Sequence, residues 1–137
     1  MTDPATTGRL LKRAQYLNHR AADRALAIIG TSLVQWDALR AISESPNSSA
    51  HRLAITTFQS DQAFGTLANR LEAKGLIVRT AGHGRRIEHA LTESGRQIFE
   101  AGLQVMRGVG ERSFAALTAD EIETLHGLLE RVGEIGP

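Results

Sequence analysis

A run of polar side chains between residues 60 and 74 has the spacing needed to hydrogen-bond DNA bases. Gln62, Thr66 and Asn69 follow at steps of four and three, so a helix places them on one face. Apolar residues of the same run fall on the opposite face. A side-chain amide can bond the major-groove edge of adenine through two hydrogen bonds. The pattern predicts base recognition, with an ordinary solvated helix face as the alternative.

A short basic segment follows this run, in which Gly82 and Gly84 precede the consecutive Arg85 and Arg86. The glycines already supply the turn chemistry that a hairpin tip needs, so folding does not require the arginines. Arginine binds phosphate oxygens through paired N–H donors. We therefore expect at least one of the two to contact a DNA backbone or the neighbouring minor groove.

Further candidates lie at the ends of short helical runs. Ser49, Thr57 and Ser60 are expected to act first as caps or turn formers and second as phosphate donors. Arg70 fits a phosphate contact and a tertiary salt bridge equally well. The complete set of candidate DNA contacts is Ser49, Thr57, Ser60, Gln62, Ala63, Thr66, Asn69, Arg70, Arg85 and Arg86.

No residue pattern in the sequence indicates catalysis or a metal site. There is no nucleophile elbow, phosphate-binding loop or paired-carboxylate arrangement. The chain has no cysteine, and none of its five histidines lies four residues from another. We therefore expect no enzyme activity, no cofactor and no bound metal.

Charge is distributed unevenly along the 137 residues, although the net charge is only +1. Residues 48–92 hold six Lys or Arg against three Asp or Glu, and the rest of the chain is slightly acidic. A basic middle suits a DNA-facing lobe carried by a scaffold that does not touch DNA. No apolar run is long enough to span a membrane, and the first residues lack the order of a signal peptide. We expect a cytoplasmic protein without membrane contact.

Hydrophobic spacing and turn residues predict four helices, a β-hairpin and two more helices. Their predicted ranges are 9–29, 32–42, 49–57 and 61–74 for the first helices, 76–80 and 86–91 for the strands, and 92–114 and 118–132 for the last helices. Two short helices and a tight turn followed directly by a hairpin form a winged helix-turn-helix. The predicted class is mainly α with a small β-hairpin, a winged helix-turn-helix lobe on a helical dimerisation scaffold.

The sequence resembles the multiple-antibiotic-resistance regulator (MarR) family over most of its length. Similar motifs are Leu53-Ala54, the stretch from Arg70 to Ile77, Arg85, the segment from Leu91 to Arg96, and Gln35-Trp36 followed by Leu39. The chain differs where the family usually has an acid two residues before the wing arginine, because His83 stands there. It also has Ala63 and Gly65 where the family's recognition helix is rich in serine, threonine and basic residues.

The resemblance implies a homodimer that binds double-stranded DNA at a pseudo-palindromic operator and regulates transcription, with repression as the first expectation. The chain would form one domain over residues 1–137, with the DNA-binding lobe at 31–92 and dimerisation helices at 9–30 and 93–135. Many members release DNA when a small phenolic or anionic molecule binds between scaffold and lobe. Candidate effector contacts here are Tyr16, His19, Trp36 and Phe99, as the lining of a pocket between the second and fifth helices. The alternative is ordinary core packing, the commoner role of aromatic residues at helical spacing.

One alternative function remains open at this point. Winged lobes also serve as protein-docking surfaces, and such a module would not bind DNA with sequence specificity. The basic hairpin tip and the polar helix face favour DNA. Selection of duplexes from a random pool would separate the two possibilities.

Overall fold

The computed structural model describes residues 1–84, 86–133 and 135. Within those residues the chain forms six helices and one two-stranded antiparallel sheet. The elements are α1 (Pro4–Ala27), α2 (Leu33–Glu44), α3 (Ala50–Thr56), α4 (Asp61–Ala73), β1 (Ile77–Ala81), β2 (Ile87–Leu91), α5 (Glu93–Ser113) and α6 (Ala119–Arg131). The predicted order and fold class are confirmed.

Hydroxyl side chains begin five of the helices. In each case the oxygen accepts a hydrogen bond from the backbone N–H three residues further on, which would otherwise lack a partner inside the helix. The capping residues are Ser32, Ser49, Ser60, Thr92 and Thr118. Such a cap typically contributes about 1 kcal/mol. The caps fix where each helix starts, and therefore which side chains occupy its first turn.

Helix α1 is longer than predicted, because it begins at Pro4 rather than near Arg9. The Asp3 carboxylate accepts from the N–H of Ala5, and Pro4 occupies the first turn, where proline's missing N–H is not needed. Gly8 lies inside the helix without breaking it. The expected start was therefore wrong by about one and a half turns.

One hydrophobic core holds the helix-turn-helix together. Phe64 and Leu71 of α4 are fully buried, and they pack with Leu53 of α3, Leu39 of α2 and Ile77 of β1. Burying a side chain of this size contributes about 1.5–3 kcal/mol. The core fixes one side of α4 against the lobe and leaves its other side outward.

A second core joins α2 to the long helices α1 and α5. Trp36 of α2 stacks on Phe99 of α5 with ring centroids 6.0 Å apart, and its Nε1–H donates to the Phe99 carbonyl oxygen at 3.1 Å. Ala22 and Leu26 of α1 complete the buried side of this cluster. Because α2 contributes to both cores, it connects the lobe mechanically to the α1–α5 scaffold.

The hairpin pairs Ile77 with Leu91 at its base and Ala81 with Ile87 at its tip. Both strands begin one residue later than predicted, at Ile77 and Ile87. An isolated bridge between Ser48 and His89 attaches β2 to the segment before α3. The wing is thus anchored to the lobe along β2.

Helix α6 has no buried residue, and Leu128 and Leu129 are about half exposed. Leu11 and Leu17 of α1 are similarly exposed, and together these helices border a cavity of about 470 Å³. Among the described residues, no helix is both long enough and apolar enough to cross a membrane.

Candidate nucleic-acid interface

Helix α4 separates its polar and apolar residues as the sequence predicts. Phe64, Leu67 and Leu71 are buried, whereas five of the proposed DNA contacts on α4 are exposed. Those five are Gln62, Ala63, Thr66, Asn69 and Arg70. We name this set the α4 outer face. The opposite side of the helix packs in the lobe core, whereas the outer face is exposed to solvent.

The N-terminal end of α4 carries fixed polar groups. The Ser60 hydroxyl accepts from the N–H of Ala63 at 3.0 Å, and Asp61 in the first turn lies 2.9 Å from Nδ1 of His51. Both members of that pair are well exposed. The contact joins the first turns of α3 and α4, so it connects the N-terminal ends of the two helices of the helix-turn-helix.

Gly65 lies on α4 beside the outer face and is half-buried, between Phe64 and Thr66 in the sequence. A Cβ built on it would meet no atom within 4 Å. Packing inside the protein therefore does not require a glycine at this position, although glycine in a helix costs about 1 kcal/mol relative to alanine.

An ion pair that the sequence did not suggest ties the wing to α4. Arg79 of β1 donates to both carboxylate oxygens of Glu72 and, at 2.8 Å, to the side-chain oxygen of Asn69. The hydrogen bond from Arg79 lowers the pKa of the Glu72 carboxyl, while the guanidinium pKa of Arg79 is raised. The side-chain oxygen of Asn69 is therefore already hydrogen-bonded to the wing. Together with the Arg79–Glu72 ion pair, this bond fixes the angle between the wing and the α4 outer face.

Arg86 directly precedes β2, near the hairpin tip, and is exposed. Its guanidinium donates to the carbonyl oxygen of Asn47 at 3.0 Å. One side of the group is therefore used to connect the wing to the α2–α3 turn. Arg85, the other predicted wing contact, lies outside the described residues.

Two candidates at the ends of α3 differ in their access to DNA. Ser49 caps α3 and is partly exposed, as predicted. Thr57 is buried, and its hydroxyl donates to the carbonyl oxygen of Leu53 at 2.7 Å. Its hydroxyl thus forms the end of α3, which is the first of the two roles expected of it, while a phosphate contact by Thr57 stays a prediction.

At the predicted effector site between α2 and α5, two of the four candidate side chains pack against each other. Trp36 and Phe99 pack directly on each other and belong to the scaffold core. Tyr16 is about half exposed beside Arg20, and His19 lies 3.4 Å from Asp23 on the surface of α1. None of these four candidates lines the cavity between α1 and α6. Of the four candidates, Trp36 and Phe99 are in direct contact through their stacked rings, whereas Tyr16 and His19 lie on the surface of α1.

A buried histidine behind the outer face was also missed. His89 of β2 is 1% exposed, and its Nδ1 lies 2.9 Å from the Ser48 carbonyl oxygen. A carbonyl can only accept, so this nitrogen carries the proton. The ring meets the edge of Phe64 at 6.0 Å between centroids. Burial lowers the pKa of His89, with a smaller lowering from Arg79, while the Ser48 and Glu72 oxygens oppose it.

The lowered pKa of His89 predicts a loss of stability in mild acid. The unfolded chain takes up a proton near the ordinary value of 6.5, whereas the folded chain resists it until lower pH. The stabilisation is therefore complete above about pH 6.5 and is lost as the pH falls towards the folded value. We expect the thermal midpoint to drop as the pH falls below about 6.5, and His89→Gln to flatten that drop.

The control for this titration is His83→Gln, because His83 is exposed at the hairpin tip rather than buried. The thermal midpoint of this variant should depend on pH as that of the unmodified protein does. An equally steep fall in the thermal midpoint of His89→Gln would contradict the assignment.

Comparisons with known proteins agree with this geometry. A family model described as "MarR family" matches residues 29–87. The HTH-type transcriptional repressor Rv2887 of Mycobacterium tuberculosis is 31% identical over 135 residues, covering 97% of each chain. The crystal structure of Rv2887 in complex with DNA has a TM-score of 0.76 and 28% identity, covering 93% of this chain and 97% of that one. The complex of Rv2887 with salicylic acid has a TM-score of 0.76 and 31% identity, covering 92% and 95%.

Proposed function

The chain belongs to the MarR family, and from that premise we propose that it is a homodimeric, sequence-specific DNA-binding repressor released by a small aromatic acid. The α4 outer face is the observation that carries this proposal. It presents polar groups from a helix that is buried on its other side, and a helix of this diameter fits the major groove. The wing, fixed to α4 through Arg79 and Glu72, follows the DNA backbone alongside.

The uncovered apolar surface of α1 and α6 supports the homodimer. Four leucines on these helices are about half exposed, namely Leu11, Leu17, Leu128 and Leu129. Apolar surface of this kind is unfavourable in water and is typical of a protein interface. A second copy would cover both helices and place two lobes side by side. The lobe would comprise residues 31–92, with 9–30 and 93–135 forming the dimerisation scaffold. A twofold axis between the lobes requires a pseudo-palindromic operator.

The relative Rv2887 supports both ligands of the proposal. It has been crystallised with DNA and with salicylic acid. Salicylic acid is a flat ring with a carboxylate, so we propose this ligand class for the effector. The predicted contacts Tyr16, His19, Trp36 and Phe99 stay a prediction, and a ligand would have to open the stacked pair to reach between Trp36 and Phe99.

Selection from a random duplex pool tests the proposal. The full chain should enrich an inverted repeat whose half-sites lie about one helical turn apart. Addition of salicylate to the bound complex should weaken binding. Retention of duplexes without any common sequence would contradict sequence-specific recognition, and unchanged binding at saturating salicylate would contradict the effector class.

A matched variant locates the recognition surface. Gln62→Ala removes an amide from the α4 outer face, and it should reduce the affinity for the selected duplex more than for random DNA. Gln104→Ala is the control, because Gln104 is exposed on α5, outside the lobe. Equal effects of the two substitutions would show that α4 does not select the sequence.

A further inference from the structure

Phe58, in the turn between α3 and α4, is 95% exposed and has a backbone φ of 58°. Each feature opposes stability. A phenyl ring gains free energy from leaving water, and a non-glycine residue in the left-handed region is strained. A glycine or asparagine would suit the backbone better.

The turn does not need the ring in order to fold. The Phe58 N–H donates to the Ile55 carbonyl oxygen, and the Gln59 N–H donates to that of Ala54. Any residue other than proline can make both bonds, because only backbone atoms take part. The turn therefore fixes the direction of the side chain, while the side chain adds nothing to the described core clusters.

Phe58 is adjacent to the proposed DNA-binding surface. It stands two residues before Ser60, the cap of α4, and Ile55, one turn earlier on α3, is 62% exposed. The exposed residues around this pair include Thr56 and Gln62, which are polar. Two apolar side chains in a polar surrounding are too small a patch for a stable protein interface, which needs several hundred Å² on each partner.

We infer that Phe58 is a DNA-contacting residue whose ring packs on apolar groups of the operator at the edge of the major groove. Those groups are thymine 5-methyl groups or deoxyribose carbons. Apolar contact with a thymine methyl is an established form of base discrimination in the major groove. The inference rests on the proposed function, and it adds a contact from the turn to those of the α4 outer face.

Phe58→Gly separates the contribution to folding from the contribution to binding. Glycine accepts the left-handed backbone, so the thermal midpoint should stay the same or rise by a few degrees. Affinity for the inverted-repeat duplex from the selection, measured by fluorescence anisotropy, should fall about tenfold. Asn47→Gly is the matched control, because Asn47 also has a positive φ of 66° within the lobe, and it should bind as the unmodified protein does.

Replacing each thymine of the half-site by deoxyuridine identifies the group that Phe58 meets. If one position weakens the unmodified protein but not Phe58→Gly, the partner is a thymine methyl. If no position does so while Phe58→Gly still binds more weakly, the partner is deoxyribose. If Phe58→Gly fails to fold, Phe58→Asn, which also tolerates this backbone, carries the same comparison.

Binding of Phe58→Gly within twofold of the unmodified protein would overturn the inference. If Phe58→Gly kept its DNA affinity but lost repression in cells, Phe58 would instead contact a protein partner, and the inference would also be overturned. These results differ from failure of the proposed function, in which the unmodified chain itself selects no duplex.

Discussion

Gly102→Ala is expected to lower the free energy of unfolding by about 2–3 kcal/mol, the range of a severe overpacking substitution. A Cβ at this position in α5 would lie 2.0 Å from Nε1 and 2.2 Å from Cδ1 of Trp36. The indole cannot move aside easily, because it is stacked on Phe99 and hydrogen-bonded to the Phe99 carbonyl oxygen. The expected fall in the thermal midpoint is about 10 °C at fixed protein concentration.

Gly110→Ala is the control on the same helix. A Cβ there would meet no atom within 4 Å, so the higher helix propensity of alanine should leave stability unchanged or raise it by up to about 1 kcal/mol. Thermal unfolding of the two variants and the unmodified protein makes the comparison. Similar midpoints for all three would mean that α2 and α5 are not in contact as described.

Affinity for DNA is expected to fall by about three orders of magnitude or more between about 50 and 200 mM salt. The described part of the lobe exposes Arg52, Arg70, Lys74 and Arg86, whereas Arg79 is partly buried and paired with Glu72. Two lobes would therefore offer about eight cations to the phosphates, within the range for which counterion release produces such a fall. Anisotropy titrations at several salt concentrations give the slope.

Arg70→Gln tests whether α4 contributes to this salt effect. In a dimer it removes two charges, so the logarithmic slope should decrease by about two. Arg107→Gln is the control, because Arg107 is exposed on α5, away from the lobe, and its slope should match that of the unmodified protein. A salt-independent affinity of the unmodified protein would contradict binding through the phosphate backbone.

Local chemistry explains why most element boundaries could be predicted. Ser32, Ser49, Ser60 and Thr118 cap their helices through bonds to residues three positions away, and Gly75 follows α4 with a φ of 73°. All these interactions lie within a few residues, so the sequence displays both partners. The start of α1 had a similar signal in Asp3-Pro4, but the predicted range began only at Arg9.

Contacts between distant elements could not be predicted in the same way. The approach of Arg79 to Glu72 depends on the angle at which the wing leaves α4, and the burial of His89 depends on its bridge to Ser48, 41 residues earlier. For Trp36 and Phe99, helical spacing indicated that both face inward, but it did not distinguish a packed pair from the walls of a pocket. Side-chain type and spacing therefore predicted the α4 outer face. The contacts that hold the wing and the lobe behind it depend on the three-dimensional fold, so they could not be predicted from spacing.

The position of Trp36 provides an internal optical reporter. It is the only tryptophan in the chain, and its indole is held between the lobe and the scaffold. Indole emission shifts to longer wavelength when water reaches the ring, so intrinsic fluorescence reads this one junction without a label. A ligand that separates α2 from α5 would change the emission directly, whereas one that binds elsewhere and leaves the junction closed would not.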